Sequence, residues 1–211
     1  FWDPAYKNKY SIAANEYIFN INAAALAWGY SRDDIGNISV LNNQSFRTRL
    51  RDLVLNAHSF WTGVDAADDH MGMSMGTSWG DALIPLNRRG ERWRLAEPME
   101  GSVWWVDDYV ITWSLKDRSF LRTVAHEWID YSISPEFQLE YILREINALP
   151  VVTSILNQLT MEERKRIQTA RKGTVSGKQI PQRTYSYRDQ NGLKLLWDEA
   201  TRGIDLKRNR K

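Results

Sequence analysis

The stretch Glu100-Gly101-Ser102-Val103-Trp104-Trp105-Val106-Asp107-Asp108-Tyr109-Val110-Ile111-Thr112-Trp113 decides the fold class. A turn-like Glu100-Gly101-Ser102 leads into a run dominated by β-branched and aromatic residues, which predicts a strand. Side chains alternate faces along a strand, so Trp104 and Trp105 point opposite ways and Trp105 shares a face with Asp107. An indole beside a carboxylate can hold an organic cation, because the ring face attracts positive charge and the acid pairs with an ammonium. The plainer reading of the same residues is a core strand whose tryptophans pack and whose acids are solvated.

Outward from that strand, helical periodicity dominates. A helix is predicted from about Glu16 to Trp28, closed by Gly29, since glycine enters the left-handed conformation without steric cost. A second is predicted over Ser45–Asn56, with Phe46, Leu50, Leu53 and Val54 on one face. Met71 to Trp79 reads as a strand whose glycines signal close backbone approach. Asp117 is placed to cap a helix over Ser119–Tyr131, where Phe120, Leu121, Val124, Ala125, Trp128 and Ile129 form an apolar stripe. Ser134 caps the next helix, with Pro135 at its first position. Thr160-Met161-Glu162-Glu163 has the form of a capping box opening a basic helix. A last helix runs from about Asn191 to Thr201, and Lys172 to Arg188 reads as a long loop. Strands mixed with helices make the chain α/β.

Composition bounds the function classes. Hydrophobic residues at 43% and charged residues at 26% of 211 are ordinary for a globular chain. Ten tryptophans are many for this length and need homes in a core or a binding surface. With no cysteine there are no disulfides, thiolate metal sites or cysteine nucleophiles. No apolar run is long enough to span a membrane. The opening Phe1-Trp2-Asp3-Pro4 is not a charged start followed by an apolar core, as expected either of a secreted protein after processing or of a truncated one. Residues 161–211 carry 14 Lys/Arg against 6 Asp/Glu, which leaves 14 against 20 in the remainder. A mildly acidic body suits a cationic ligand. The basic residues Arg164, Lys165, Arg166, Arg171 and Lys172 carry no nucleic-acid motif and read as a solvated helix face, so no nucleic-acid partner is expected.

Catalytic motifs are not complete anywhere. His126-Glu127-Trp128-Ile129-Asp130 begins like a zinc-binding H-E-x-x-H and ends in an aspartate, so the second imidazole is missing. Asp65, Asp68, Asp69 and His70 are acidic enough for a hard cation but lack the spacing and glycine of a calcium loop. Gly72 to Gly76 is rich in glycine and methionine without a phosphate-binding lysine. The expectation is a binding protein with no catalytic residues, no metal and no cofactor.

A resemblance extends over much of the chain. Asp3-Pro4-Ala5-Tyr6-Lys7-Asn8-Lys9, followed by Ala23 to Gly29-Tyr30-Ser31, resembles the opening of the second lobe in periplasmic spermidine/putrescine-binding proteins, the solute-binding components of ABC transporters. Met75-Gly76-Thr77-Ser78-Trp79-Gly80-Asp81-Ala82 is similar to that family's "M-G-x-S-G-D-A" segment. Glu100 to Asp107 resembles its "E-G-G-x-x-W-x-D" crossover strand, and Ser134-Pro135-Glu136-Phe137-Gln138 a helix start common among bacterial solute-binding proteins.

The resemblance implies a type II periplasmic-binding-protein fold, two α/β lobes around a cleft. Residues 5–107 would be the second lobe, 108–154 the hinge return and helices packing on the first lobe, and 155–211 the return to the second. The first-lobe portion that precedes these motifs in the family has no counterpart here, so a fragment of a longer protein is expected. The implied ligand is a cationic amine, a polyamine such as putrescine or spermidine, handed to an ABC-transporter permease in the periplasm or outside the cell. Trp105 would be the stacking wall and Asp107 the ammonium acceptor, with Trp79, Asp81 and Glu16 as further contacts. Ser78-Trp79-Gly80-Asp81 is offset by about one residue from the family's putrescine branch. A helix-start carboxylate favoured by the helix dipole is an equal reading of Glu16. Phe19 stands where the family has a second acid, and Leu149 near where it has an aromatic. The alternatives are an amine sensor signalling to a membrane partner, or an interaction domain whose pocket no longer binds.

Overall fold

Tyr10-Ser11-Ile12-Ala13 forms the central strand of a small parallel sheet in the computed structural model, which describes residues 1–175 and 179–206. This strand, β1 (Tyr10–Ala13), pairs with β2 (Ser59–Trp61) on one side and β3 (Met75–Gly76) on the other, both parallel, in the order β2-β1-β3. All four of its residues are buried, as expected of a parallel strand covered on both faces. The chain is α/β with small parallel sheets.

The backbone divides into two units, Phe1–Trp104 with Thr174–Lys211, and Trp105–Gly173. In the first, α1 (Tyr17–Ala27), α3 (Gln44–Leu55) and α8 (Tyr187–Thr201) cover one face of the sheet. Tyr10 and Ile12 face that core, where they meet Ile21, Ala24, Ala25, Leu50, Leu53 and Trp197. Two buried polar ends are satisfied by carbonyls: Tyr10 Oη donates to Leu53 O at 2.6 Å and Trp197 Nε1 to Ala14 O at 3.0 Å. The predicted stripe of α3 is buried in full, and its N-cap, Asn43, accepts the Phe46 N–H at 3.0 Å. Gly29, with φ 85°, closes α1. A short helix α2 (Ile38–Leu41) completes this side. Ser11 points to the opposite face, which carries α4 (Ala67–His70) and α5 (Leu83–Arg88) with the apolar set Ala67, Ala82, Leu86 and Trp93. A second sheet pairs β4 (Ser102–Trp104) with β5 (Gln179–Pro181) in parallel.

The second unit is helical. It holds α6 (Ser119–Ser132), a π-helix over Phe137–Glu145, and most of α7 (Met161–Val175). Leu139, Leu143, Ile155, Leu159 and Ile167 form its core. The capping box is made as predicted: Glu163 N donates to Thr160 Oγ1 at 3.2 Å, and Thr160 N to Glu163 Oε2 at 2.7 Å. Glu163 also accepts Arg144 Nε at 2.9 Å, which ties α7 to the π-helix. Within this unit the α6 stripe is solvent-facing, with Phe120 77% and Trp128 55% exposed.

Several predicted elements are corrected. The strand begun at Ser102 ends at Trp104 rather than continuing to Thr112. Its partner β5 is three residues long, and the Gln182 N–H closes the ladder on Trp104 O at 2.8 Å. Trp105 and Asp107 are therefore on irregular, exposed backbone and do not share a strand face. Between Met71 and Trp79 only Met75–Gly76 is strand, because Ala67–His70 is helical and Gly72, at φ 73°, turns the chain. Arg118, not Asp117, is the N-cap of α6, and it makes no capping bond. Ser134 Oγ does accept the Phe137 N–H at 3.3 Å, but the helix it starts is of π type. The loop expected from Lys172 to Arg188 holds the end of α7, all of β5 and the start of α8; residues 176–178 lie outside the described residues. Two strands, β1 and β2, were not legible in the sequence at all.

Candidate ligand site

In open parallel sheets, ligands gather beyond the carboxyl ends of the strands, where the backbone leaves the sheet in diverging directions. Here β1 exits through Ala14 to Glu16 and α1, β2 ends at Trp61, and β3 exits through Thr77 to Trp79 and Asp81. Three contacts lock these exits together. Ala13 N donates to Thr77 Oγ1 at 3.0 Å, Ala14 N to Trp61 O at 2.8 Å, and Trp61 Nε1 to Thr77 O at 2.8 Å. The Trp61 indole then meets Trp79 edge to face, with centroids 5.9 Å apart.

Asp65 organises the loop after β3. Its side chain is fully buried and accepts Ser78 Oγ at 2.6 Å, Trp79 N at 3.0 Å and Ala82 N at 3.4 Å, with His70 Nε2 at 3.3 Å. Burial pushes its carboxyl up, but the hydrogen bonds from His70, Ser78 and the Trp79 amide outweigh that and hold it below the usual carboxylate range. An ionised carboxylate only accepts, so His70 Nε2 carries the proton, and Nδ1 of a neutral ring accepts from Ser11 Oγ at 2.6 Å. The acidic residues between Asp65 and His70 do not act as one cluster. Asp65 and His70 turn inward, Asp69 caps the Ala66 N–H, and Asp68 pairs with Arg89. Among the described residues, no group of His, Asp or Glu is arranged to hold a metal ion. Ser11, His70 and Asp65 do form a buried relay, but Ser11 is 0% exposed in the middle of β1, where no substrate can reach it.

Of the five residues the sequence singled out, Trp79 and Asp81 lie together on the loop after β3, and Glu16 lies at the exit of the adjacent strand. Trp79, Asp81 and Glu16 are half-buried. Burial raises the pKa of Asp81, the Asp65 charge raises it further, and its own backbone N–H opposes both. Among the described residues neither Asp81 nor Glu16 pairs with a cation, and Glu16 makes no capping bond to α1. Trp105 and Asp107 belong to the other unit, as does the half-exposed Leu149. Phe19, on α1, puts a ring where the resembled family has its second acid. Sequence reading missed Ser11 and Thr77, and took Asp65 and His70 only as members of an incomplete cation cluster; the glycines after His70 signalled the close approach. Gly76 is the position that needs one, since a Cβ there would stand 2.6 Å from His70 Nδ1 and 2.9 Å from Ser11 Oγ.

Two cavities lie away from this edge. One, of about 370 Å³, is bounded by Asp33, Tyr185, Arg183 and the start of α8; the other, of about 110 Å³, by Ile38, Arg47 and Glu199. Their charged groups already answer one another, Arg183 with Asp33 and Arg47 with Glu199.

The family model of the bacterial extracellular solute-binding proteins matches residues 1–169. The chain belongs to that family. Solute-binding proteins capture small molecules outside the cell and deliver them to ABC transporters; they bind their ligands and do not transform them. A search of curated proteins and a search of solved structures each returned no match. No helix among the described residues is long and apolar enough to cross a membrane.

Proposed function

We propose that this solute-binding protein captures a small cationic amine, a polyamine such as putrescine or spermidine, and presents it to an ABC-transporter permease at the periplasmic or outer face of the membrane. The observation that carries this reading is Asp81, a half-buried carboxylate with no cationic partner among the described residues, two positions from the half-buried Trp79 on the loop after β3. Leaving water is costly for a carboxylate that has no partner, and an ammonium removes that cost while the ring face covers the methylenes. Glu16, at the exit of the neighbouring strand, is a second acceptor for a ligand with two ammonium groups. A metal-bound anion or a neutral sugar would leave both acids uncompensated.

The motif resemblance supports the finer assignments. It reads residues 5–107 as the second lobe of a two-lobed binder, 108–154 as the hinge return with helices for the first lobe, and 155–211 as the return to the second. It also names Trp105 as a stacking ring and Asp107 as an ammonium acceptor, and Trp105→Ala and Asp107→Asn test those two by themselves. The loss of an acid at Phe19 favours a ligand shorter or more apolar than spermidine. The direct test is a thermal-shift panel of putrescine, spermidine, spermine, neutral amino acids and dicarboxylates. Stabilisation confined to amines, and abolished by Asp81→Asn, supports the reading; stabilisation by a neutral or anionic solute overturns it.

A further inference from the structure

We propose that Asp65 and His70 act together as a positioning pair that fixes the loop Ser78–Ala82, and with it Trp79 and Asp81, against the carboxyl edge of the sheet. The proposal rests on the ligand reading above and adds the residues that set the geometry of that site. Asp65 does not spread its hydrogen bonds over the fold. Apart from His70, its partners are Ser78 Oγ, Trp79 N and Ala82 N, which bracket Trp79 and Asp81. His70 supplies the other end of the strut. Its Nδ1 is anchored by Ser11 Oγ at 2.6 Å in the middle of β1, and its ring packs at 6.4 Å from Trp61 and 5.7 Å from Trp93. The chain of contacts thus runs from the centre of the sheet through an imidazole and a carboxylate into the ligand loop.

β3 ends at Gly76, two residues before Ser78, and α5 starts at Leu83, after Ala82. Ser78–Ala82 is therefore outside regular structure, and Gly80, at φ 109°, takes a conformation that only glycine adopts freely. A loop without a ladder is placed by its side-chain anchors, and here the anchor is a buried charge with four partners. Asp65 also acts on Asp81 through space: after burial, its charge is the second cause that raises the Asp81 pKa.

The test compares wild type with Asp65→Asn, His70→Gln and Ser78→Ala in two readouts. The first needs no ligand: amide hydrogen exchange and the indole resonance of Trp79 by NMR. The Trp79 amide, which donates to Asp65, loses at least tenfold of its protection in Asp65→Asn. The Ala14 amide, which donates to Trp61 across β1 and β2, keeps its protection. The second is putrescine affinity by equilibrium dialysis, expected to fall tenfold or more in Asp65→Asn and severalfold in Ser78→Ala. Equal loss of protection at Trp79 and Ala14 would make the pair a general stabiliser and overturn the proposal. So would an unshifted Trp79 resonance. If wild type binds no putrescine, the amine reading fails, and the exchange pattern alone decides the positioning role. If wild type binds and the variants bind equally well, the amine reading stands and the positioning role falls.

Discussion

The backbone N–H of Trp79 donates to the buried carboxylate of Asp65 at 3.0 Å, fourteen residues away in the chain. The indole nearest the proposed ligand is thus placed by a charge inside the protein rather than by the sheet it follows. This makes the stability of the fold and the shape of the site depend on one carboxylate.

Replacing that carboxylate costs stability. Asp65→Asn keeps the size of the side chain, but one of its two oxygens becomes a donor facing other donors. The expected loss is about 1–3 kcal/mol, the usual penalty for an unsatisfied buried group, read from urea denaturation. Because the folded-state pKa of Asp65 is depressed, its contribution is present above the ordinary carboxylate pKa and is lost as the pH falls through its lower folded value. The wild type should therefore lose stability on acidification by a margin that Asp65→Asn does not show.

Gly76→Ala tests the close approach of His70 to the sheet. The new methyl would sit 2.6 Å from Nδ1 and 2.9 Å from Ser11 Oγ, so the ring or the strand must move. Overpacking of this kind costs about 1–3 kcal/mol. The cost should shrink when His70→Ala is added, and a double-mutant cycle with no coupling would show that the ring is not where it is described.

Amine binding should be coupled to proton release. The pKa of Asp81 is raised, so near the upper carboxylate range part of the population is protonated and has no charge for an ammonium. Affinity for putrescine should rise with pH through that range and then level off. Calorimetry in buffers of different ionisation enthalpy should detect protons released on binding, a signal that Asp81→Asn abolishes.

The helical unit has its own acid-sensitive joint. Arg144 beside Glu163, with help from the Thr160 N–H and hydroxyl and against the opposing pull of burial, holds the Glu163 carboxyl down to about 2. Its stabilisation is fully present above the ordinary glutamate pKa and disappears only as the pH falls through about 2. Glu163→Ala removes the capping box together with the ion pair and should cost about 1–2 kcal/mol in thermal unfolding at neutral pH.

How much of this was legible beforehand depended on the range of the forces involved. Helices whose ends carry local chemistry were read closely: α3 by its stripe, α1 by Gly29, α7 by Thr160 and Glu163. Strands were not, because a strand needs a partner that may lie far along the chain. Tyr10–Ala13 is paired with segments around Ser59 and Met75, and nothing in its own four residues announces that. The opposite error occurred after Trp104, where Val106, Tyr109, Val110 and Ile111 have strand-forming side chains but no neighbour to pair with. The site divided in the same way. Trp79 and Asp81 were visible as residue types in a motif, whereas Asp65 and His70 read only as part of an incomplete cation cluster, since their meaning comes from burial.

The most direct test of the amine reading is a calorimetric titration of the intact protein with putrescine and spermidine, in parallel with its Asp81→Asn variant. The account predicts saturable binding of at least one amine, and an affinity loss of about 1.5–3 kcal/mol in the variant, the worth of a charge-assisted contact. Equal affinity in both proteins, or saturable binding of a neutral solute with no response to either amine, would contradict it.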